Sequence, residues 1–195
     1  MNSIDELARL LKKLPGMGEK SAMRLAYHLI NNKDADNKAL AEAIATIKEK
    51  IHPCPVCGCY TEGEGCTYCD DEKREKTQLC IVEQPQDVIT IASAGIYSGH
   101  FHVLGGAINL INGIGPDALR FKELRERIDG GEYKEIIIAT NPTEEGNTTA
   151  LYIKRMLENR DLTITKLASG IPIGGDLGYV DKKTLTLSMR GRIKL

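Results

Sequence analysis

The chain has 195 residues, 42% of them apolar, with 26 Lys and Arg against 27 Asp and Glu and a formal net charge of −1. That length can bury a core, as one or two domains with a small added module. Near-neutrality excludes a globally basic nucleic-acid binder, so any polyanion contact must come from local patches or from a concave surface built by several subunits. No apolar run approaches the roughly 20 residues that span a bilayer. Asp5, Glu6, Arg9, Lys12 and Lys13 interrupt the N-terminus where a signal peptide needs an apolar stretch. A cytoplasmic chain with reduced thiols is the expectation. Two Phe and no Trp weigh against a base-stacking platform for single strands, although seven Tyr leave some room for one.

Residues 1–52 read as helical. Ser3 with Glu6 forms a capping box ahead of a stripe of Ile4, Leu7, Ala8, Leu10, Leu11 and Leu14. Pro15-Gly16-Met17-Gly18 breaks that helix. A second restarts near Glu19 with Ala22, Leu25, Ala26, Leu29 and Ile30 on its inner face. A polar turn follows at 31–37. A third helix carries Leu40, Ile44, Ile47 and Ile51 and stops before Pro53. In the turn between the first two helices, Gly16 and Gly18 allow close approach and leave N–H groups free at a helix N-terminus. Lys20 and Arg24 follow on successive turns of one face. The set suits a phosphate and resembles the helix-hairpin-helix motif, which grips the sugar–phosphate backbone of DNA. An ordinary helical corner capped by glycines accounts for the same residues. A Walker A loop is excluded, because Glu19 separates Gly18 from Lys20.

Cys54, Cys57, Cys66 and Cys69 form two C-x-x-C pairs eight residues apart. Two such knuckles supply four soft ligands in the tetrahedral arrangement that Zn²⁺ prefers, with no position open for water or substrate. The expected role of the metal is structural. Paired disulfides or spare thiols are the alternative. Cys59 is a poorer ligand by spacing, His52 a weaker rival because four cysteines already close the shell, and Cys80, inside an apolar run, reads as a small buried residue. Residues 70–76 read as a connector.

From Gln78 onward strands and helices alternate. Buried strands are expected at 79–82, 136–139 and 162–167, and helices at 116–128 and 148–159, giving a mostly parallel sheet covered by helices. The tail from Thr184 suits a short helix or strand. Glu83 and Glu145 would then gather at strand C-termini. This looks like the Toprim fold of topoisomerases and bacterial primases, where a strand-end Glu and a D-x-D pair bind Mg²⁺. Here Asn141 and Thr143 stand at the D-x-D positions, which should cut Mg²⁺ affinity severely. Glu144 does not restore the pair. Two readings of Glu83 and Glu145 stand: a solvated acidic rim serving a partner, or the carboxylates of a Mg²⁺-dependent nuclease or topoisomerase-like enzyme. His102 reads as a structural histidine, and Lys182, Lys183, Arg190 and Arg192 as a solvated face or the side of a DNA path.

The order of helical hairpin, four-cysteine knuckle and Toprim-like domain is similar to the RecR family of bacterial recombination mediators over nearly the whole chain. The matching stretches are Leu14-Pro15-Gly16-Met17-Gly18, Cys54-Pro55-Val56-Cys57 with Cys66 and Cys69, and His102-Val103-Leu104-Gly105-Gly106. They continue with Gly113-Ile114-Gly115-Pro116, Ala139-Thr140-Asn141-Pro142-Thr143, Glu145-Gly146, Thr149-Ala150 and Gly170-Ile171-Pro172-Ile173-Gly174-Gly175-Asp176-Leu177. Ala92 and Gly178 depart from it, standing where Glu is expected.

The resemblance implies a helix-hairpin-helix domain over 1–53, a four-cysteine zinc finger over 54–69, a Toprim domain over 77–172 and a C-terminal extension over 173–195. The Walker-B-like stretch Gly170–Asp181, without a Walker A loop, does not imply ATP hydrolysis. The implied function is non-enzymatic DNA repair. RecR-like proteins act with RecO- and RecF-type partners to place RecA on gapped or single-stranded DNA, and they assemble as dimers or ring-like tetramers. Gly16, Gly18, Lys20 and Arg24 would face DNA. Glu83, Glu144 and Glu145 would meet the basic RecO-type partner. A zinc-stabilised scaffold that binds only proteins is the remaining rival.

Overall fold

The computed structural model describes residues 2–33 and 36–194. Asp34 and Ala35, inside the polar turn expected at 31–37, and Leu195, the end of the expected tail element, lie outside the described residues. The chain divides into two compact units, residues 1–50 and 51–195.

The first unit holds three helices, α1 (Ser3–Leu11), α2 (Glu19–Asn31) and α3 (Asn37–Lys50). The capping box lies one residue earlier than the sequence reading placed it. Asn2 is the N-cap and accepts from the Asp5 amide at 2.9 Å, while the Asp5 carboxylate accepts from the Asn2 amide at 3.3 Å. Asn and Ser cap about equally well, so the pattern alone does not separate the two registers. Ala8, Ala22 and Ala26 form the centre of the α1–α2 contact, ringed by Ile4, Leu7, Leu11, Met17 and Met23. Small side chains at the centre let the two helices approach closely. Leu40, Ile44 and Ile47 of α3 lie on the surface, and no residue of this helix is buried.

The second unit opens with a ribbon absent from the sequence reading. Strands β1 (Ile51–Pro53) and β2 (Tyr60–Glu62) pair antiparallel, and the first C-x-x-C knuckle is the turn between them. Then come β3 (Glu75–Val82), α4 (Pro85–Ser93), β4 (Gly99–Val103), α5 (Phe121–Asp129), β5 (Glu135–Ile138), α6 (Glu144–Met156), β6 (Thr163–Lys166) and α7 (Lys182–Arg190). The main sheet has the order β4-β3-β5-β6, with every neighbouring pair parallel. The expected strands at 79–82, 136–139 and 162–167 are present as β3, β5 and β6, and β3 begins within the stretch read as a connector. Helix α6 starts four residues ahead of expectation because the Thr143 hydroxyl caps it, accepting from the Gly146 amide at 3.0 Å.

A parallel sheet must be covered on both faces. On one face Leu79, Ile81, Ile136 and Ile138 pack against Phe121, Leu124 and Ile128 of α5 and Ala150 and Ile153 of α6. On the other, Cys80, Val82, Phe101 and Val103 pack against Val88 of α4 and against Cys54, Cys57, Cys59 and Cys66. The cysteine knuckle therefore borrows the sheet as its core. The joint is also hydrogen-bonded: the Val103 amide donates to the Cys57 carbonyl at 2.7 Å, and Arg120 Nη2 donates to the Pro55 carbonyl at 2.6 Å. Gly58, at φ +76°, fits there because a Cβ would sit 2.9 Å from the Val103 carbonyl oxygen. The Arg74 guanidinium stacks on Tyr68 and Phe101 at 5.1 and 5.4 Å and closes the far side.

His102 is fully buried in β4, as the sequence reading of a structural histidine requires. Its Nε2–H donates to the Arg120 carbonyl at 3.0 Å, so Nδ1 carries the lone pair, and it has no partner. Burial lowers its pKa to about 4. The unfolded chain, with an ordinary histidine near 6.5, takes up this proton first as pH falls. Stability is therefore complete above about pH 6.5 and declines toward pH 4, by on the order of 3 kcal/mol. Urea unfolding of the wild type and of His102→Gln at pH 7.0, 6.0 and 5.0 tests this, and the variant should lose most of the slope.

Candidate metal centre and nucleic-acid interface

Each C-x-x-C pair is a closed backbone turn. The Gly58 amide donates to the Cys54 carbonyl at 2.9 Å and the Cys69 amide to the Cys66 carbonyl at 3.0 Å. The β1–β2 ribbon holds the first turn, and the Asp70 carboxylate fixes the second by accepting from the Cys66 amide at 2.6 Å. The four Sγ atoms of Cys54, Cys57, Cys66 and Cys69 all lie within 4.8 Å of one another. Cys57 and Cys66 are 3.5 Å apart and Cys54 and Cys69 3.9 Å. A tetrahedral ion with metal–sulfur bonds of about 2.3 Å requires sulfur spacings of about 3.8 Å. The donor set fits a metal ion and fits soft ions best.

Hydrogen bonds from the Cys59 and Cys69 thiols hold the Cys57 thiol far below its ordinary pKa, and the same contacts push Cys59 and Cys69 up. A bound cation takes all four sulfurs deprotonated. Cys59 is buried beside the four without joining their group, and His52 turns away, its Nε2 3.1 Å from the Gly63 carbonyl oxygen. Cys80 is buried, as read from its apolar run, and burial raises its pKa to about 12.

In the helical unit, Gly16 adopts φ +75° and Gly18 stands at the N-cap of α2 with no side chain to cap it. The first amides of α2 remain open donors at the positive end of the helix. Lys20 and Arg24 are exposed on the next two turns, and Lys12 reaches Glu19 at 3.2 Å across the hairpin. Residues 1–50 carry nine Lys and Arg against seven Asp and Glu, whereas 51–195 carry seventeen against twenty. From residue 9 to residue 24 the chain carries five cations, Arg9, Lys12, Lys13, Lys20 and Arg24, against the one anion Glu19. The arrangement can hold an anion by backbone amides and side-chain charge together.

The strand-end glutamate behaves otherwise. Glu83 is 8% exposed and follows β3 directly, while Asn141 follows the neighbouring β5. The Asn141 amide donates to Glu83 Oε1 at 2.8 Å, and Asn141 Nδ2 donates to Oε2 at 2.7 Å. Gly146 closes the space, since a Cβ there would lie 2.8 Å from Glu83 Oε1. Glu83 is thus apart from the exposed acidic rim expected of it. Glu144 and Glu145 are exposed at the start of α6. The sequence reading took Asn141 as a missing ligand and overlooked its role as donor. The signal was available, because a carboxamide at a position that otherwise faces a carboxylate can donate to it from the side chain as well as the backbone.

A parallel α/β sheet with a locked strand-end glutamate, a four-sulfur knuckle on one face that could hold a metal ion, and a separate cation-rimmed helical hairpin define a Toprim-containing chain. The sequence matches the family descriptions "RecR, helix-hairpin-helix" over residues 4–48, "Toprim domain" over 77–168 and "RecR, C-terminal" over 170–193. It is 54% identical over 194 residues to the recombination protein RecR of Treponema denticola, covering 100% of both chains. It is 47% identical over 190 residues to that of Treponema pallidum, covering 97% of this chain and 94% of that one, and 47% identical over 190 residues to that of Paenarthrobacter aurescens, covering 97% and 96%. The chain belongs to the RecR family of recombination proteins.

Exchanging the Asn141 carboxamide for a carboxylate tests the lock. Asn141→Asp sets two anions against each other and removes one donor, so the variant should lose about 2–3 kcal/mol in urea unfolding at pH 7. Millimolar Mg²⁺ should restore part of the loss in the variant and leave the wild type unchanged.

Proposed function

We propose that this chain is a non-catalytic recombination mediator that binds DNA through its helical hairpin and acts in repair of gaps and breaks. The observation that carries the non-catalytic reading is the Glu83–Asn141 pair. Both oxygens of the glutamate already accept hydrogen bonds within the protein, so the pocket satisfies itself without a divalent cation. Lys20 and Arg24 contact phosphates, with backbone at Gly16 and Gly18, and no base is read. The family name of the relatives, "recombination protein", supports the process. Within it, the chain works with RecO- and RecF-type proteins to load RecA on gapped or single-stranded DNA. Glu144 and Glu145 engage the basic RecO-type partner, with Glu83 behind them holding the loop that presents them. The chain assembles as a dimer or ring-like tetramer in the cytoplasm, so that several weak hairpin contacts add by effective concentration. The four cysteines hold one structural Zn²⁺ per chain. The working divisions are 1–53, 54–69, 77–172 and 173–195. No described helix is long and apolar enough to cross a membrane.

DNA binding is tested by fluorescence anisotropy on gapped DNA from 50 to 200 mM salt. Lys20→Ala/Arg24→Ala should weaken binding at low salt and reduce the magnitude of the log–log salt slope by about 1.5–2. Unchanged binding and slope would instead favour a scaffold that meets only proteins. The same DNA incubated with Mg²⁺ or Mn²⁺ should stay intact, and scission lost in Glu83→Ala would sink the non-catalytic reading.

The metal is tested separately. Elemental analysis should return one zinc per chain, and a strong chelator should lower stability by on the order of 10 kcal/mol. Because the knuckle shares its core with β3 and β4, hydrogen-exchange protection should be lost at 79–82 and 99–103 as well as at 54–69.

A further inference from the structure

The loop from Ile108 to Ile114 is a rigid support for two bare aliphatic side chains. Ile111 is 98% exposed and Leu110 74%. Such exposure in a floppy segment would carry no information, but this segment is tightly bonded. Asn109 and Ile114 exchange backbone hydrogen bonds at 2.9 and 2.8 Å. The Asn109 side chain accepts from the Asn112 amide at 3.0 Å, and Gly113 turns the chain at φ +73°. The base is buried: the Ile108 amide donates to Thr149 Oγ1 at 2.8 Å, and that hydroxyl donates in turn to the Glu145 carbonyl at 2.7 Å. The fold therefore spends internal hydrogen bonds to hold Leu110 and Ile111 in water, against the hydrophobic effect. That is the pre-organisation expected of a binding anchor.

Its surroundings select the occupant. The loop is joined to the start of α6, with Asn109 Nδ2 at 3.4 Å from Glu145 Oε1. In the two segments that converge here, 104–119 and 139–153, the charged residues are Asp117, Glu144 and Glu145, with Lys166 alongside, its Nζ donating to Asn147 Oδ1. An anionic rim of this kind repels DNA and acidic bilayers. The geometry points to a protein partner whose apolar pocket, rimmed by Lys or Arg, receives Leu110 and Ile111 as a plug while the rim pairs with Glu144 and Glu145. This deepens, and rests on, the reading that a basic partner docks at Glu145. It adds the anchor that supplies affinity, while the carboxylates supply steering.

The test titrates the full-length protein with the RecO-type protein of the same organism, by calorimetry at two salt concentrations. Leu110→Ser/Ile111→Ser should weaken binding roughly 30-fold or more, as expected for two buried aliphatic groups, with the salt dependence kept. Glu144→Ala/Glu145→Ala should weaken binding and flatten the salt dependence. Ile111→Lys should lose more than Ile111→Glu, because the rim it meets is cationic. All four variants change exposed side chains and should melt with the wild type. If the serine pair binds as the wild type while the alanine pair does not, the plug is wrong and the acidic docking reading survives. If neither pair weakens binding, both are wrong. If the serine pair instead alters the sedimentation mass of the protein alone, the loop meets a second copy of this chain and the proposed partner is overturned.

Discussion

A four-stranded parallel sheet with one helical face and one uncovered face is not a stable object, and the rest of this molecule follows from how the second face is closed. Helix α4 supplies Val88 as its single buried side chain. Much of the remaining cover is sulfur: Cys54, Cys57, Cys59 and Cys66 lie with Cys80, Val82, Phe101 and Val103, and Tyr68 and Tyr97 pack edge-on against Phe101. A thiol is a passable small hydrophobe. Three of these thiols, Cys54, Cys57 and Cys66, stand with Cys69 at metal-binding spacing, so one ion could cross-link them into a rigid plate, which loose turns of this length cannot become by packing alone. The edge strand β4 gains from the same contact, because the Val103 amide, on the side away from β3, finds the Cys57 carbonyl. An edge that would otherwise template other chains is thereby closed. The cysteine knuckle is therefore a layer of the α/β unit rather than an appendage to it.

The crevice at the strand ends illustrates how two residues can change what a fold does without altering its shape. Carboxylates facing Glu83 would repel it, and a divalent cation would be the natural relief. A carboxamide makes the cation unnecessary. Asn141 offers Glu83 two donors, one from the backbone and one from the side chain, at distances typical of charge-assisted bonds. The glutamate is retained as a structural residue: it ties the end of β3 to the loop after β5 and so positions the start of α6. Glu144 and Glu145, left outside this lock, stand exposed at the start of α6.

Much of this was legible in the residues. The thiol pairs, the helical hairpin and the runs 79–82 and 136–139 carry local signals strong enough to survive without tertiary context. What was not legible has physical causes. Strand β4, Gly99–Val103, carries two histidines among five residues and does not read as a buried strand until His102 is seen bonding to the Arg120 carbonyl. The β1–β2 ribbon is three residues a side and is held by the knuckle it frames. Glu83 read as one member of an acidic rim because a sequence gives charge without accessibility. Its partner lies 58 positions away and meets it only because β3 and β5 pair.

The distribution of charge then constrains any account of function. A net charge of −1 conceals a helical unit with two more cations than anions and an α/β unit with three more anions than cations. On the proposed reading, one chain offers a phosphate few contacts, chiefly those around Gly16, Gly18, Lys20 and Arg24. Affinity from so few released counterions is low, and the salt slope of one site is correspondingly shallow. Raising it by adding charge to the same surface would cost solubility and invite indiscriminate binding, whereas repeating the surface in an assembly raises it without changing any one site. The anionic unit, repelled by the same polymer, is free to present Glu144, Glu145 and the rigid Leu110–Ile111 loop to proteins. Under the proposed function, one small chain holds two classes of partner, because like charge keeps each away from the surface meant for the other.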